Sequence, residues 1–192
     1  MGRLKKLIAG SPVHQRKIEI RTYPLENHQL IVEGRLTDDR LVTGFHWDGR
    51  SRPPGVVHQM IIRLLIGQWP PTILEAEAEM MDIPHELCRT VEETAQKIVG
   101  VPVAAGFSDQ IKQRLGGVEG CSHLTHLLLA MGPAILHGYW TQLSRKPRPV
   151  PKSLDEVQGL SILINSCQLW KENGPLIQLV QETIYQLNQQ PE

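Results

Sequence analysis

Apolar and polar residues alternate with a period of two through much of the first eighty positions. KIEIRTY (17–23) and HQLIVEGRLTD (28–38) flank a turn-like PLEN, the pattern of two half-buried strands joined as a hairpin. A third apolar stretch, RLVTGFHW (40–47), runs into DGRSRPPG (48–55), a loop dense in Gly, Pro and Arg. VVHQMIIRLLIG (56–67) is strongly β-branched, QWPPT reads as a turn, and ILEAEAEMM (73–81) alternates strictly. The pattern predicts an antiparallel meander of four or five strands.

The period then changes. From Asp82, with Pro84 in a first-turn position, Leu87, Val91, Ala95 and Ile98 fall at helical spacing and Gly100 closes the segment. SDQIKQRL predicts a short helix capped by Ser108 and stopped by Gly116 and Gly117. A longer helix is expected from about Cys121 to Leu143, with Leu124, Leu127, Leu128, Met131 and Ile135 on one face and a kink at Pro133. RKPRPVPKS (145–153) reads as an extended spacer before one or two C-terminal helices, LDEVQGLSILINSCQLW and PLIQLVQETIYQL. Strands first and helices after predict an α+β fold, an antiparallel β-meander followed by helices packed on one face. The expected organisation is an N-terminal arm (1–16), a core domain (17–144), a Pro-rich linker (145–153) and a helical extension (154–192).

Composition narrows the function classes. With 192 residues and 41% apolar content, the chain can build a core without a disulfide or structural metal. Twenty Lys+Arg against 20 Asp+Glu leave no formal charge, which argues against nucleic acid or an anionic membrane as partner. The basic N-terminus lacks the apolar core of a signal peptide, and LLLAMGPAIL (127–136) is half a membrane span. A cytoplasmic protein is expected, with a small molecule or metal as partner and room for a homo-oligomer. Three cysteines, at 88, 121 and 167, do not form a disulfide framework, so free or metal-bound thiols are expected.

GGVEGCSHLTHLLLAMG (116–132) is the most informative segment for chemistry. Its glycines turn the backbone sharply and place Cys121 and His123 at a helix N-terminus, which favours a thiolate. Inside one helix the two side chains would point about 200° apart, so they share a site only if Cys121 lies in the preceding loop. Cys88 should face the sheet from its helix. His58 shares a strand face with Met60 and Ile62, and an imidazole among aliphatics needs a partner: a backbone carbonyl, Glu79 or a metal. His126 and His137 read as a solvated face, His14 and Arg16 as a basic cluster of the arm, and Glu33 and Asp38 as salt-bridging carboxylates. Cys167 reads as core. Phosphate-loop, nucleophile-elbow and zincin motifs are absent.

These residues carry a resemblance. His14-x-Arg16, VEGRLTD with Glu33 and Asp38, PGVVHQMIIRL around His58, IPHELC ending at Cys88, and GGVEGCSHL together resemble bacterial domain-of-unknown-function family 2889, from about His14 to Trp170 and including CQLWKENGP. That family name implies no activity. More distantly, the order of loop, strand, Cys-bearing helix and late Cys-Ser-x-Leu is similar to NifU-type iron–sulfur scaffold proteins. The comparison places Cys121 on the scaffold's final ligand cysteine and His58 on its aspartate. It departs from the scaffold at Val56, Pro84 and Gly120, which fall on two cysteines and a histidine. What the resemblance implies is a metal set of His58, Cys88, Cys121 and His123, suited by softness and number to zinc or iron. A metal-binding protein is therefore the leading expectation, a metal- or thiol-dependent lyase or hydrolase the alternative, and a non-catalytic interaction protein the third.

Overall fold

The computed structural model describes residues 2–189. Four long strands, β1 (His14–Pro24), β2 (Leu30–Arg40), β5 (Gly55–Gly67) and β6 (Thr72–Asp82), form one antiparallel sheet in the order β1-β2-β5-β6. The meander expected from the alternation is therefore present. The stretch 40–47 adds no strand to it. Arg40 is the last residue of β2, and Gly44–Phe45 form β3, which pairs with β4 (Ser51–Arg52) as a separate small hairpin inserted between β2 and β5. Here Phe45 and Trp47 are 71% and 97% exposed, so the apolar run marks a projecting hairpin rather than a core strand.

Alternation puts every second residue of β2 on the core face: Leu30, Val32, Gly34, Leu36 and Asp38 are all buried. The register continues each position across the sheet. Ile20, Gly34, Ile62 and Ala78 form one row, and Ile18, Leu36, Met60 and Met80 the next. The opposite face is ionic, with Arg63 Nε 2.8 Å from Glu33 Oε2 and a second ion pair from Arg63 to Glu79.

After β6, residues Glu86–Ile98 form a 3-10 helix rather than the α-helix that 3.6-residue spacing predicts. A three-residue period brings Arg89, Glu92, Ala95 and Ile98 to one face. Arg89 Nη1 donates to the Met80 carbonyl at 2.7 Å, the Met80 N–H donates to Glu92 at 2.7 Å, and Ala95 and Ile98 are buried. Polar side chains thus satisfy the open edge of β6, and this competes successfully with α-helical bonding. Leu87, expected on the apolar face, is 79% exposed.

Helix α1 (Arg3–Lys6) precedes the sheet and α2 (Phe107–Leu115) follows the 3-10 segment. Gly106 occupies the N-cap of α2 with φ 83°, and Ser108 lies inside the helix, not at its cap. A Cβ on Gly116, at the C-cap of α2, would run into the Lys112 carbonyl. The long α3 (Ser122–Leu143) runs through Pro133 and buries Leu124, Leu127, Leu128, Met131 and Ile135, the face expected from spacing. It packs on the sheet at Gly34, where a Cβ would lie 2.5 Å from Met131 Sδ.

The chain divides into two compact units, with the boundary between Leu136 and His137. In the second unit, α4 is only Leu160–Leu163 and α5 is Pro175–Asn188. The expected long helix over LDEVQGLSILINSCQLW is therefore replaced mostly by turns. Cys167, expected in the core, is exposed on that turn-rich segment. Leu160, Ile177 and Ile184 are buried. No helix among the described residues is long and apolar enough to cross a membrane.

Candidate metal centre

The apolar rows of the sheet end in a polar one. Arg16 of β1 lies opposite Asp38 of β2, which lies opposite His58 of β5. All three continue the core-facing alternation beyond Ile18, Leu36 and Met60. A β-bulge between Asp38 and Asp39 leaves Val57 unpaired, and a second register shift falls between Gln59 and Met60. His58 therefore sits between two irregularities, the sort of place where a bulge re-aims a side chain.

The fourth member comes from α3. Cys121 immediately precedes the helix, in the loop, so the condition under which it can share a site with His123 is met. Thr125 Oγ1 lies 2.9 Å from the carbonyls of both Leu115 and Cys121, tying the start of α3 to the end of α2. Lys97 Nζ donates to the Glu119 carbonyl at 2.6 Å and holds the glycine loop to the 3-10 segment.

Asp38 is the centre of the cluster, with its side chain only 4% exposed. Arg16 Nε and Nη2 donate to Oδ1 and Oδ2 at 2.7 Å each, a bidentate pair. His58 Nδ1 stands 3.4 Å and His123 Nε2 3.6 Å from Oδ2, and His14 Nε2 stands 3.4 Å from Oδ1. The His58 and His123 rings lie 4.0 Å apart at 33°. The second ring nitrogen of His123 meets the thiol, with Cys121 Sγ 3.8 Å from Nδ1.

Charge follows from this packing. Hydrogen bonding to Arg16 holds the Asp38 carboxyl below the usual carboxylate range. Burial pushes both imidazoles below the ordinary histidine value, and for His123 the neighbouring His58 adds to the effect. Near neutral pH the site is an ionised carboxylate beside two neutral rings, each of which keeps a lone pair on one nitrogen and a proton on the other.

Donor atoms of Asp38, His58 and His123 all lie within 4.8 Å of one another, a group able to hold a metal ion. Two of the residues expected from sequence, His58 and His123, are in it. Cys121 lies beside it through the far nitrogen of His123, and Cys88, half-buried on the 3-10 helix, is outside it. The partner of His58 is Asp38. Glu79 is on the opposite face with Arg63. His126 is exposed, with Nδ1 2.7 Å from the Ser122 carbonyl. By pattern alone Asp38 is a salt-bridging carboxylate and Arg16 part of a basic cluster of the arm, although a signal for Asp38 exists: it ends a perfect buried alternation, where a carboxylate is out of place without partners.

Fold and site thus define an α+β protein with a buried carboxylate and two imidazoles at the end of its sheet. The chain belongs to the family described as "Protein of unknown function (DUF2889)", whose model matches residues 14–137. That span ends within one residue of the first compact unit and stops short of CQLWKENGP. No curated protein and no solved structure matches the chain, so the likeness to NifU-type scaffolds is without support.

Proposed function

We propose that Asp38, His58 and His123 bind a divalent transition-metal ion, with zinc the best fit. The carrying observation is the pair of distances from Asp38 Oδ2 to His58 Nδ1 and His123 Nε2, 3.4 and 3.6 Å. Both are longer than a good N–H···O hydrogen bond. They approach the edge of a tetrahedron with metal–ligand bonds of 2.0–2.1 Å, about 3.4 Å. Arg16 then holds the carboxylate from outside, and Cys121 faces the free nitrogen of His123, the outer contacts that orient ligands in metal sites. Three protein ligands leave a position open, where a bound ion supplies Lewis acidity to a hydrolytic or lyase reaction. Iron is the alternative ion, since two histidines and one carboxylate also suit Fe(II).

Elemental analysis of untagged protein, followed by zinc and Fe(II) titration, tests this. About one ion per chain is expected, with His58→Ala and His123→Ala each reducing affinity at least tenfold. Wild-type protein that stays empty after reconstitution, or that loads equally well in both variants, refutes it.

A second reading rests on Cys121, His123 and Asp38 standing in sequence, 3.8 and then 3.6 Å apart. In metal-free protein this order allows His123 to act as base toward the thiol, with Asp38 orienting the ring, the logic of a thiol hydrolase. In that case Cys121 is alkylated at least tenfold more slowly in His123→Gln than in wild type under chelation. Equal rates remove this reading.

A further inference from the structure

The net charge of a donor set decides which further ligand its ion accepts. Among the described residues Asp38 is the sole carboxylate of the group. Its charge is already met by Arg16 through two 2.7 Å bonds. Histidines ligate a metal only as neutral imidazoles. Donors and immediate partner therefore sum to zero, and a divalent ion would keep its full double charge. Cys121 does not supply the missing anion, because its sulfur faces Nδ1 of His123 while Nε2 faces Asp38. Asp39, the nearest acidic residue in sequence, is engaged with Lys17 at 3.4 Å. The groups most open to solvent are also cationic or neutral: the His14 and Arg16 side chains are 54% and 37% exposed, against 20% for His58 and 23% for His123. The pair with Asp38 uses Nε and Nη2 of Arg16 and leaves the Nη1 amino group, with two N–H donors, to other partners.

We propose that the ion held by Asp38, His58 and His123 takes an anionic oxygen ligand of the carboxylate class at its open position, and that Arg16 sets this preference. This deepens the metal reading and rests on it. Arg16 acts as a positioning and selectivity residue. It cancels the charge that would otherwise repel an incoming carboxylate, and it offers that carboxylate donors from a planar guanidinium. A neutral substrate of the same shape gains no charge attraction and offers the guanidinium a single weaker acceptor oxygen.

Cobalt(II)-loaded full-length protein provides the test, because its visible d–d bands report both loading and changes at the open position. Titration with acetate is compared with isosteric acetamide in wild type, Arg16→Gln and Arg16→Lys. In wild type, acetate should shift the bands saturably and bind at least tenfold more tightly than acetamide. Arg16→Gln should weaken acetate at least tenfold while cobalt binds as tightly or more tightly, and Arg16→Lys should recover part of the acetate affinity. Saturable cobalt loading with bands unmoved by acetate overturns this proposal and leaves the metal reading standing. Equal binding of acetate and acetamide in wild type has the same meaning, and it needs no variant to fold. An acetate response unchanged in Arg16→Gln removes the role of Arg16. Failure of cobalt to bind wild-type protein at all overturns the metal reading itself.

Discussion

One face of one sheet carries two kinds of burial. Ile62, in the middle rows, is wholly buried between Gly34 and Ala78 of the neighbouring strands, and needs nothing but close packing. Asp38, two rows further along, is nearly as inaccessible, yet it is charged and is kept there by Arg16 with His58, His123 and His14 around it. The apolar rows follow from transfer out of water and add to stability in proportion to area. The polar row must recover a desolvation penalty through specific partners. An ion pair of this kind is often no more stabilising than apolar residues of the same volume. The last row is therefore hard to explain by stability and easier to explain by chemistry.

Substitution in each row tests that contrast. Ile62→Ala should lower the unfolding free energy by about 3 kcal/mol through lost contacts and a residual cavity, measured by denaturant titration. Arg16→Met leaves the Asp38 charge without its main partner. The cost should be about 2 kcal/mol, below that of a fully enclosed pair because Arg16 keeps solvent contact. The double variant Arg16→Met/Asp38→Leu should regain most of that loss. A double variant far less stable than the single would mean that the ion pair is structural, and the contrast between rows would collapse.

The smallest effect is in pH. Burial lowers the affinity of His58 and His123 for protons in the folded state. The unfolded chain therefore takes up protons first as pH falls below about 6.5, and metal-free protein should lose stability from there downward, until the lowered folded values are passed. Asp38 behaves differently. Its folded value is held down by Arg16, so its contribution is intact at neutral pH and is lost only in acid, below the usual carboxylate range near 3.9. Thermal melts under chelation should show a downward slope below pH 6.5 that flattens in His58→Gln and His123→Gln. An unchanged slope in both variants would mean that neither ring is the group responsible.

The legible parts of the molecule were those with a local cause. Alternation located three of the long strands and a β-branched run the fourth, and apolar spacing identified the buried face of α3 residue by residue. The glycines before Cys121 announced a turn into a helix. Less legible were segments whose conformation depends on neighbours. Glu86–Ile98 adopts a three-residue period because Arg89 and Glu92 reach the backbone of Met80 on the sheet edge. RLVTGFHW is apolar and β-rich, but only Arg40 at its start stays in the main sheet, and Gly44–Phe45 meet no more than a two-residue partner strand. Cys167 resembles a core residue only if its segment is a helix.

The α+β class, the meander, the position of His58 on the apolar strand face and the exit of Cys121 and His123 from a glycine loop all follow from the order of residues along the chain. Those features depend on periodicity and on backbone freedom, which are properties of neighbouring residues. What His58 and His123 meet depends instead on how distant strands are brought side by side. Asp38 and Arg16 lie on two other strands, 20 and 42 residues from His58 along the chain, and become its neighbours through strand register. Register is set by packing of the whole face. A single-residue slip in β2 would turn Asp38 to the opposite side and dissolve the site.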